Sequence, residues 1–217
     1  MKGLKVENVT YSYGGPDILR EVSCTFEYGK IHAIAGKSGS GKTTLLSLLA
    51  GLDLPKEGDI LYDGVSIKEM DLSRYRREKA AVIYQSFRLF PLMNAFENIM
   101  YPMELKGING KEALNKAKDF LAQVDLEEKL GTHFPNMLSG GEQQRVAIAR
   151  ALATDAKLIL ADEPTGNLDR QNSDNIISIL RQLAHQKGYC VIVVTHDFNV
   201  LDSLDVVYHM EDGYIGS

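Results

Sequence analysis

The fold follows from residues 31–43, where the apolar run Ile31–Ala35 leads directly into Gly36-Lys37-Ser38-Gly39-Ser40-Gly41-Lys42-Thr43. This octapeptide has the spacing G-x-x-x-x-G-K-[ST], and the leucine-rich run that follows Thr43 is typical of a buried helix. A phosphate-binding loop requires this context, in which a strand ends in the loop and the chain continues as a helix. The segment therefore predicts a nucleotide-binding α/β protein.

The residue types of this loop suit the chemistry of phosphate binding. Glycines let successive backbone N–H groups turn towards phosphate oxygens without a Cβ clash. The helix that follows points the positive end of its dipole at the same anion. Lys42 can reach the β- and γ-phosphates, and the Thr43 hydroxyl can ligate Mg²⁺. The loop alone indicates a P-loop nucleotide binder, and kinases and GTPases remain open at this point.

The rest of the chain alternates between predicted strands and helices. Short strands broken by turns fill residues 4–34, and the apolar runs 157–161 and 190–195 are typical of strands in a parallel sheet. Residues 86–138 are mainly helical, and within them residues 111–124 carry an apolar stripe at spacings of three and four. We expect an α/β core with an inserted, mostly helical arm.

Composition and charge exclude several classes of protein. The 217 residues include 24 Lys and Arg against 29 Asp and Glu, and the net charge of −5 argues against general binding to nucleic acid. No run approaches the roughly 20 apolar residues of a membrane span, and the first residues lack the apolar core of a signal peptide. Cys24 and Cys190 lie in apolar runs and are expected to be buried, reduced thiols. A soluble chain that can sit beside a membrane on a partner is expected.

Two acidic residues follow a second apolar run. Asp162 and Glu163 come directly after Leu158–Ala161, and a buried strand in such a sheet delivers them to the edge where the phosphate loop lies. Asp162 is expected to hold Mg²⁺, directly or through water, and Glu163 to orient or deprotonate the attacking water. Taken alone, the pair is equally compatible with an Asp-Glu turn that ends a strand before Pro164.

A third motif decides between the families of nucleotide-binding proteins: Leu138-Ser139-Gly140-Gly141-Glu142-Gln143-Gln144-Arg145. Ser139 and Glu142 have the spacing of a capping box, so a helix begins here and its first N–H groups form a second anion site. We expect the two glycines to keep those N–H groups bare, since bulkier residues would hold the helix better. The motif resembles the signature of ABC-type ATPases, and the resemblance extends from Lys5 to Gly213.

This resemblance implies roles for further residues, each matched to the family pattern by position. Tyr13, or less favourably Tyr11, resembles the aromatic residue that stacks on adenine. Gln85 resembles the glutamine that links Mg²⁺ and the attacking water to the helical arm. His196 resembles the switch histidine that contacts the γ-phosphate, and Gly166-Asn167-Leu168-Asp169 resembles the loop that crosses a dimer interface. Together with Gln85 and His196, the second anion site excludes a P-loop kinase.

ATP and Mg²⁺ are the cofactors that the resemblance implies, with two chains enclosing two ATP molecules. It implies three sets of residues: catalytic Glu163, His196 and Gln85; metal-binding Thr43, Gln85 and Asp162; and nucleotide-binding Tyr13, Gly36, Lys37, Ser38, Gly39, Ser40, Gly41, Lys42, Thr43, Thr44, Ser139, Gly140, Gly141, Glu142 and Asp169.

The resemblance also implies the architecture of the chain. It predicts one ABC ATPase domain over residues 1–217, with a P-loop NTPase core whose sheet is mixed and mainly parallel. An N-terminal antiparallel β subdomain belongs to the core, which is expected at about 1–85 and 155–217. An inserted α-helical subdomain at about 86–154 is expected to carry the signature motif.

ATP hydrolysis is the activity that the resemblance assigns to this chain, with the transport path in separate permease subunits. It implies a homodimer at the cytoplasmic face of the cell membrane, held there by the integral-membrane permease, with a periplasmic or extracellular adaptor as a further candidate partner. Ser86–Met93 lies where a permease helix docks in this family and is rich in large apolar side chains. We expect several of them to face the partner, although each is equally compatible with the core of the arm.

Two short segments point to a subgroup of the family. Gly166-Asn167, where Ser-Ala is more usual, and His133-Phe134-Pro135 resemble the lipoprotein-release, macrolide-export and cell-division proteins. That resemblance favours export or extraction of a hydrophobic, peptide or lipoprotein substrate. An ATP-driven switch that works through a membrane partner without moving cargo is a second interpretation. A soluble ABC ATPase acting on ribosomes or DNA is a third, less favoured because such proteins usually carry two cassettes or a long coiled-coil insertion.

Overall fold

The computed structural model describes residues 3–216, apart from the side chain of Phe198. Its helices and strands follow the chain in this order: β1 (Gly3–Tyr11), β2 (Leu19–Glu27), β3 (Ile31–Ala35), α1 (Lys42–Leu49), β4 (Glu57–Tyr62), β5 (Val65–Ser66), α2 (Leu72–Glu78), β6 (Ala80–Tyr84), α3 (Ala95–Leu105), α4 (Gly110–Gln123), α5 (Gly140–Leu152), β7 (Leu158–Asp162), α6 (Arg170–Lys187), β8 (Cys190–Thr195), β9 (Val206–Glu211) and β10 (Tyr214–Gly216).

A six-stranded sheet forms the centre of the fold, with strand order β10-β9-β3-β8-β7-β6. Its neighbouring strands are parallel except for the antiparallel pair β9 and β10. In register, Ala35 lies beside Thr195 and Asp162 lies beside Val194, so the carboxyl ends of β3, β7 and β8 meet at one edge. The predicted mixed, mainly parallel sheet is confirmed, and this edge is where such sheets bind ligands.

Both faces of this sheet are covered, which explains why its strands are continuously apolar rather than alternating. All six residues of β8 are buried. Cys190, Ile192 and Val194 face α1 and the N-terminal strands, whereas Val191 and Val193 face the other core, to which α5 and α6 contribute. Burial raises the pKa of the Cys190 and Cys24 thiols to about 12, as expected for inert structural cysteines.

The N-terminal strands form a separate antiparallel sheet with the order β2-β1-β4-β5. The Asp63-Gly64 pair makes the turn between β4 and β5. Residues 57–59 are the first residues of β4. Gly58 is there because β1 and β4 lose register at this point: its φ is +74° and a Cβ would lie 2.3 Å from the Asn8 carbonyl oxygen.

Helices α3, α4 and α5 make up most of the segment between residues 86 and 154, and α5 also packs against β6 and α6. The predicted stripe on α4 is buried at Ala113, Ala117 and Leu121, and continues to Val124. The exact limits of the core and helical subdomains stay a prediction. Within residues 3–216, helices are too short or too polar to cross a membrane.

Candidate active site

A cavity of about 820 Å³ opens at the carboxyl edge of the six-stranded sheet. It gathers residues from the loop before α1, the end of β6, the end of β7 and the segment after β8. Its lining consists of Ile18, Gly36, Lys37, Ser38, Gly39, Gly41, Lys42, Thr43, Thr44, Gln85, Asp162, Glu163 and His196. Of the predicted loop residues, Ser40 alone is missing from this lining, because it is buried and its carbonyl accepts a hydrogen bond from the Gly213 N–H.

The loop between β3 and α1 has the backbone shape that an anion cradle needs. Gly39 and Gly41 have φ values of +82° and +107°, a region that residues with a Cβ rarely adopt. Lys42 is buried, and its Nζ donates 2.8 Å hydrogen bonds to the carbonyls of Gly36 and Lys37. Burial lowers the pKa of Lys42, although the nearby Glu163 and Asp162 oppose that shift. A cation is therefore held inside the loop, where a phosphate would be its counter-ion.

Thr43 and Asp162, which the sequence predicts as metal ligands, contact each other. The Thr43 hydroxyl donates to Asp162 Oδ1 across 3.3 Å, which joins the start of α1 to the end of β7. Burial raises the pKa of Asp162, with the Thr43 hydroxyl opposing the shift and the charge of Glu163 adding to it. A partly buried carboxylate beside a hydroxyl and a second carboxylate offers hard oxygen ligands and excess negative charge, which fits Mg²⁺.

Glu163 and His196 both line the cavity and contact each other. His196 Nδ1 lies 2.7 Å from Glu163 Oε1, and the His196 backbone N–H donates to Oε2 at 3.3 Å. Glu163 has a φ of +47°, in the left-handed region that non-glycine residues rarely occupy. Its side chain is 15% exposed, against 62% for His196. The end of β7 thus holds the carboxylate in one orientation at the cavity, as a catalytic base requires.

Gln85 reaches the same cavity from the end of β6, where it pairs with the loop that follows β7. Gln85 Nε2 lies 3.4 Å from Asn167 Oδ1, and Asn167 Nδ2 donates to the Gln85 carbonyl at 3.2 Å. A Cβ at Gly166 would lie 2.6 Å from Gln85 Nε2. Glycine at position 166, noted in the sequence as a departure from the usual family residue, therefore makes room for the amide of Gln85. Asn167 is a partner of Gln85 that sequence reasoning missed.

Tyr13 and Tyr11, the two candidates for adenine stacking, differ sharply in exposure. Tyr13 is 67% exposed and lies beside Gly39 of the phosphate loop in a neighbouring surface depression. Tyr11 is 4% exposed, and its hydroxyl bonds to Asp53. The rings of the two tyrosines meet edge to face at 5.0 Å. Because a base needs a free ring face, the structure favours Tyr13, which Tyr11 supports from behind.

The signature motif forms the capping box that its sequence predicts. Ser139 caps α5, and Glu142 accepts the Ser139 backbone N–H at 2.7 Å. A Cβ at Gly140 would make ordinary van der Waals contact, with Leu168 Cδ2 nearest at 3.4 Å, but a Cβ at Gly141 would lie 2.3 Å from Asn172 Oδ1. Gly141 is therefore needed for packing, a reason that the sequence did not reveal.

Asn172 connects this motif to Asp169, the predicted interface residue. Asp169 caps α6 by accepting the Asn172 N–H at 2.9 Å, and Asn172 Nδ2 donates to Asp169 Oδ2 at 2.7 Å. The spacing of an N-cap and its third helical residue was the only sequence signal for Asn172. None of the residues Ser139–Glu142 or Asp169 lines the phosphate cavity of its own chain.

Comparison with known proteins identifies the family. The model of the ABC transporter family matches residues 19–166. This chain belongs to the ABC transporter family. Among ABC relatives, the lipoprotein-releasing system ATP-binding protein LolD of Bacteroides thetaiotaomicron is 39% identical over 215 residues, covering 98% of each chain. The uncharacterized ATP-binding protein MJ0796 of Methanocaldococcus jannaschii is 40% identical over 222 residues, covering 98% of this chain and 94% of the relative.

A solved structure agrees with the fold of this ABC cassette. The dimeric post-hydrolysis state of MJ0796 bound to ADP and Pi superposes with a TM-score of 0.88 at 38% identity, and covers 99% of this chain and 97% of that chain. The predicted P-loop NTPase fold, the ATPase activity and the resemblance to the lipoprotein-release subgroup are thereby confirmed. The chain is an ATP-binding transporter subunit that uses ATP with Mg²⁺.

Proposed function

We propose that two copies of this chain enclose two ATP molecules and that their hydrolysis drives a separate membrane permease. One observation carries the proposal: the cavity gathers the phosphate loop, Asp162, Glu163, Gln85 and His196, whereas the signature helix begins outside it. Because the N-terminus of α5 lies outside the cavity of its own chain, it can contact ATP in that cavity only if it comes from a second chain. The dimeric, ADP-bound and Pi-bound state of the relative MJ0796 supports this arrangement.

Within one cradle, the chain's own residues divide the work. The N–H groups of the loop and Lys42 bind the phosphates, and Tyr13 stacks on the adenine. Thr43, Asp162 and Gln85 would hold Mg²⁺, which neutralises charge on the β- and γ-phosphates when bound. Glu163 accepts the proton of the attacking water.

His196 keeps the Glu163 carboxylate aimed through its backbone N–H and its ring. Because the His196 side chain is 62% exposed, its second ring nitrogen, Nε2, is the one proposed to contact the γ-phosphate while Nδ1 stays on Glu163.

The variant Glu163→Gln tests this function. The amide keeps the size of the side chain but cannot take a proton, so kcat should fall at least about 100-fold while ATP still binds and holds the dimer closed. Lys42→Ala should instead weaken ATP binding by about tenfold or more, since hydrogen bonds to charged groups contribute about 1.5–3 kcal/mol each. Steady-state ATPase assays and nucleotide titrations measure both variants. Wild-type hydrolysis by Glu163→Gln would show that another group is the base.

For the permease contact, we propose a narrower surface than the whole stretch Ser86–Met93. Leu92 is 89% exposed and Phe90 is 39% exposed, whereas Leu89 packs on the core of the arm. Phe90 also borders a groove of about 950 Å³ between α2, β6 and α3, which could receive a helix of the partner. Leu92 and Phe90 are therefore the proposed partner-facing residues, and Leu89 is assigned to the core.

Co-purification of the permease from membranes tests this surface. Replacing Leu92 and Phe90 with serine should abolish co-purification and leave ATP binding intact. Val65→Ser, on the exposed strand β5, is the matched control and should change neither property. Retention of the permease by the Leu92 and Phe90 double variant would remove this surface from the proposal.

For the cargo, we propose export or extraction of a hydrophobic, peptide or lipoprotein substrate at the cytoplasmic face of the membrane, with a periplasmic or extracellular adaptor as a further partner. The name of the relative LolD, a lipoprotein-releasing ATP-binding protein, supports a lipid-modified cargo. The purified complex in proteoliposomes should move a lipoprotein out of the bilayer only with ATP. ATP turnover without cargo release would instead favour a mechanical switch.

A further inference from the structure

The carboxylate of Glu142, in the first turn of α5, accepts two hydrogen bonds from the signature serine Ser139. Glu142 Oε2 accepts the Ser139 backbone N–H at 2.7 Å and the Ser139 hydroxyl at 2.8 Å. The return bond, from the Glu142 N–H to Ser139 Oγ, is long at 3.4 Å. Both hydrogen bonds that Ser139 donates therefore end on one carboxylate oxygen.

The hydrogen bond from the Ser139 hydroxyl to Glu142 uses the one proton that the Ser139 side chain can donate to an anion. A serine hydroxyl has one O–H donor, and here that donor points back into its own chain. The oxygen then shows only lone pairs to an approaching phosphate. The negative charge of Glu142 also offsets the positive end of the α5 dipole, about half a unit charge. The second anion site is thus partly occupied by its own chain.

Glu142 is ionised in this setting. Its partial burial opposes the charge, but the two hydrogen bonds from Ser139, together with Arg145 and His133, hold the pKa of its carboxyl below the ordinary value. A terminal phosphate that approaches Ser139 therefore meets an anion.

The capping box of α3 shows that a helix can be capped in this way without a hydrogen bond from a side-chain hydroxyl to the carboxylate. In α3, Glu97 accepts the Asn94 backbone N–H at 2.7 Å, and Asn94 Oδ1 accepts the Glu97 N–H at 2.9 Å. Asn94 has no hydroxyl proton for the carboxylate to capture. The capping box in α3 therefore only stabilises its helix. The capping box in α5 also determines whether the Ser139 hydroxyl can donate a hydrogen bond to a ligand.

We propose that Glu142 is a positioning residue that restrains ATP-dependent pairing, because its carboxylate competes with the γ-phosphate on the second copy for the Ser139 hydroxyl. This inference rests on the proposed two-copy ATP site. In Glu142→Gln an amide oxygen in the place of Oε2 still accepts the Ser139 N–H, but it is neutral and holds the hydroxyl proton less strongly than the carboxylate does. The phosphate can then compete for that proton, and one negative charge at each site is gone.

Sedimentation of ATP-bound protein in the Glu163→Gln background, which stops hydrolysis, tests the inference. Adding Glu142→Gln should lower the dimer dissociation constant at least about tenfold, since charge-assisted hydrogen bonds are the strong ones. Adding Glu97→Gln, the matched control, should leave pairing unchanged while removing a carboxylate from the same kind of capping box. Thermal unfolding of both variants reports the change in helix capping separately.

Ser139→Ala separates the hydroxyl from the charge. Without the hydroxyl, the gain from Glu142→Gln should fall to about threefold or less, a loss of coupling that a purely structural role would not produce. If the parent pairs with ATP and Glu142→Gln pairs no more tightly, or if its gain persists undiminished in Ser139→Ala, the inference is overturned. A parent that stays monomeric at saturating ATP overturns the proposed two-copy site itself, and this inference with it.

Discussion

Asn98→Ala should loosen the segment that links Gln85 to the helical arm. Asn98 is fully buried on α3, and its Oδ1 accepts the Phe90 N–H at 2.8 Å. Its Nδ2 lies within hydrogen-bond distance of three carbonyls, those of Phe90, Met93 and Asn94, at 2.9–3.2 Å. One amide therefore organises the turn that begins five residues after Gln85.

The expected cost can be worked out from the partners that remain. Alanine leaves the Asn98 backbone N–H on the Asn94 carbonyl and the Met93 N–H on the Phe90 carbonyl. Arg150 Nη1, 3.4 Å from Asn98 Oδ1, keeps its bond to the Arg88 carbonyl. The Phe90 N–H and the Met93 carbonyl are the two groups whose partner is Asn98 and which lose it. At about 1–3 kcal/mol for each unsatisfied group, with partial access of water to this turn, the free energy of unfolding should fall by about 2–4 kcal/mol. Because domains are stable by about 5–15 kcal/mol, the variant still folds.

Urea unfolding followed by circular dichroism measures this loss. Asn109→Ala, which removes the N-cap of α4, is the control and should cost about 1 kcal/mol. In ATPase assays Asn98→Ala should lower kcat more than it changes KM, because the disturbed turn positions Gln85 rather than the cradle. A loss no greater than that of Asn109→Ala would refute the idea that Asn98 organises this turn.

Two further perturbations address the site and the pH dependence of stability. Gly166→Ala should lower kcat about tenfold to a hundredfold, because the added Cβ displaces the amide of Gln85, whereas the free energy of unfolding should change little. An unchanged kcat in steady-state assays would contradict the close approach of Gly166 to Gln85. Asp205 accepts a hydrogen bond from the Ile31 N–H and pairs with His185 at 2.8 Å. Burial favours the neutral carboxyl, but these two contacts outweigh it and hold the pKa of Asp205 below the ordinary value. Its contribution is present above the unfolded pKa of about 3.9 and disappears as pH falls through the folded pKa, so the stability difference between wild type and Asp205→Asn should shrink below about pH 4. A difference that stayed constant in urea titrations from pH 7 to pH 3 would contradict this.

Much of the fold was predictable because its signals are local. The strands at 31–35 and 190–195 were predicted with the limits that the structure has, since a buried parallel strand is a short, uninterrupted apolar run. The phosphate loop and the capping box of Ser139 were equally clear, because backbone geometry and helix ends impose residue types at fixed spacings.

Features that depend on contacts between distant segments were not predictable. Glycine at 58 marks a register change between β1 and β4, and glycine at 141 marks the approach of Asn172. Leu89 and Leu92 are the same residue type three positions apart, yet one is packed and the other exposed. Periodicity could not assign them, because the segment between Gln85 and α3 is irregular.

The sequence alone determines the motifs of this protein, because the phosphate loop, the Asp162-Glu163 pair and the signature are each formed by a few consecutive residues. Their relative placement is a property of the folded chain. The sheet brings the ends of β3, β6, β7 and β8 to one cavity and leaves the start of α5 outside it. The physical reason is that strand order and helix packing are set by the burial of apolar surface over the whole chain, which no short segment encodes.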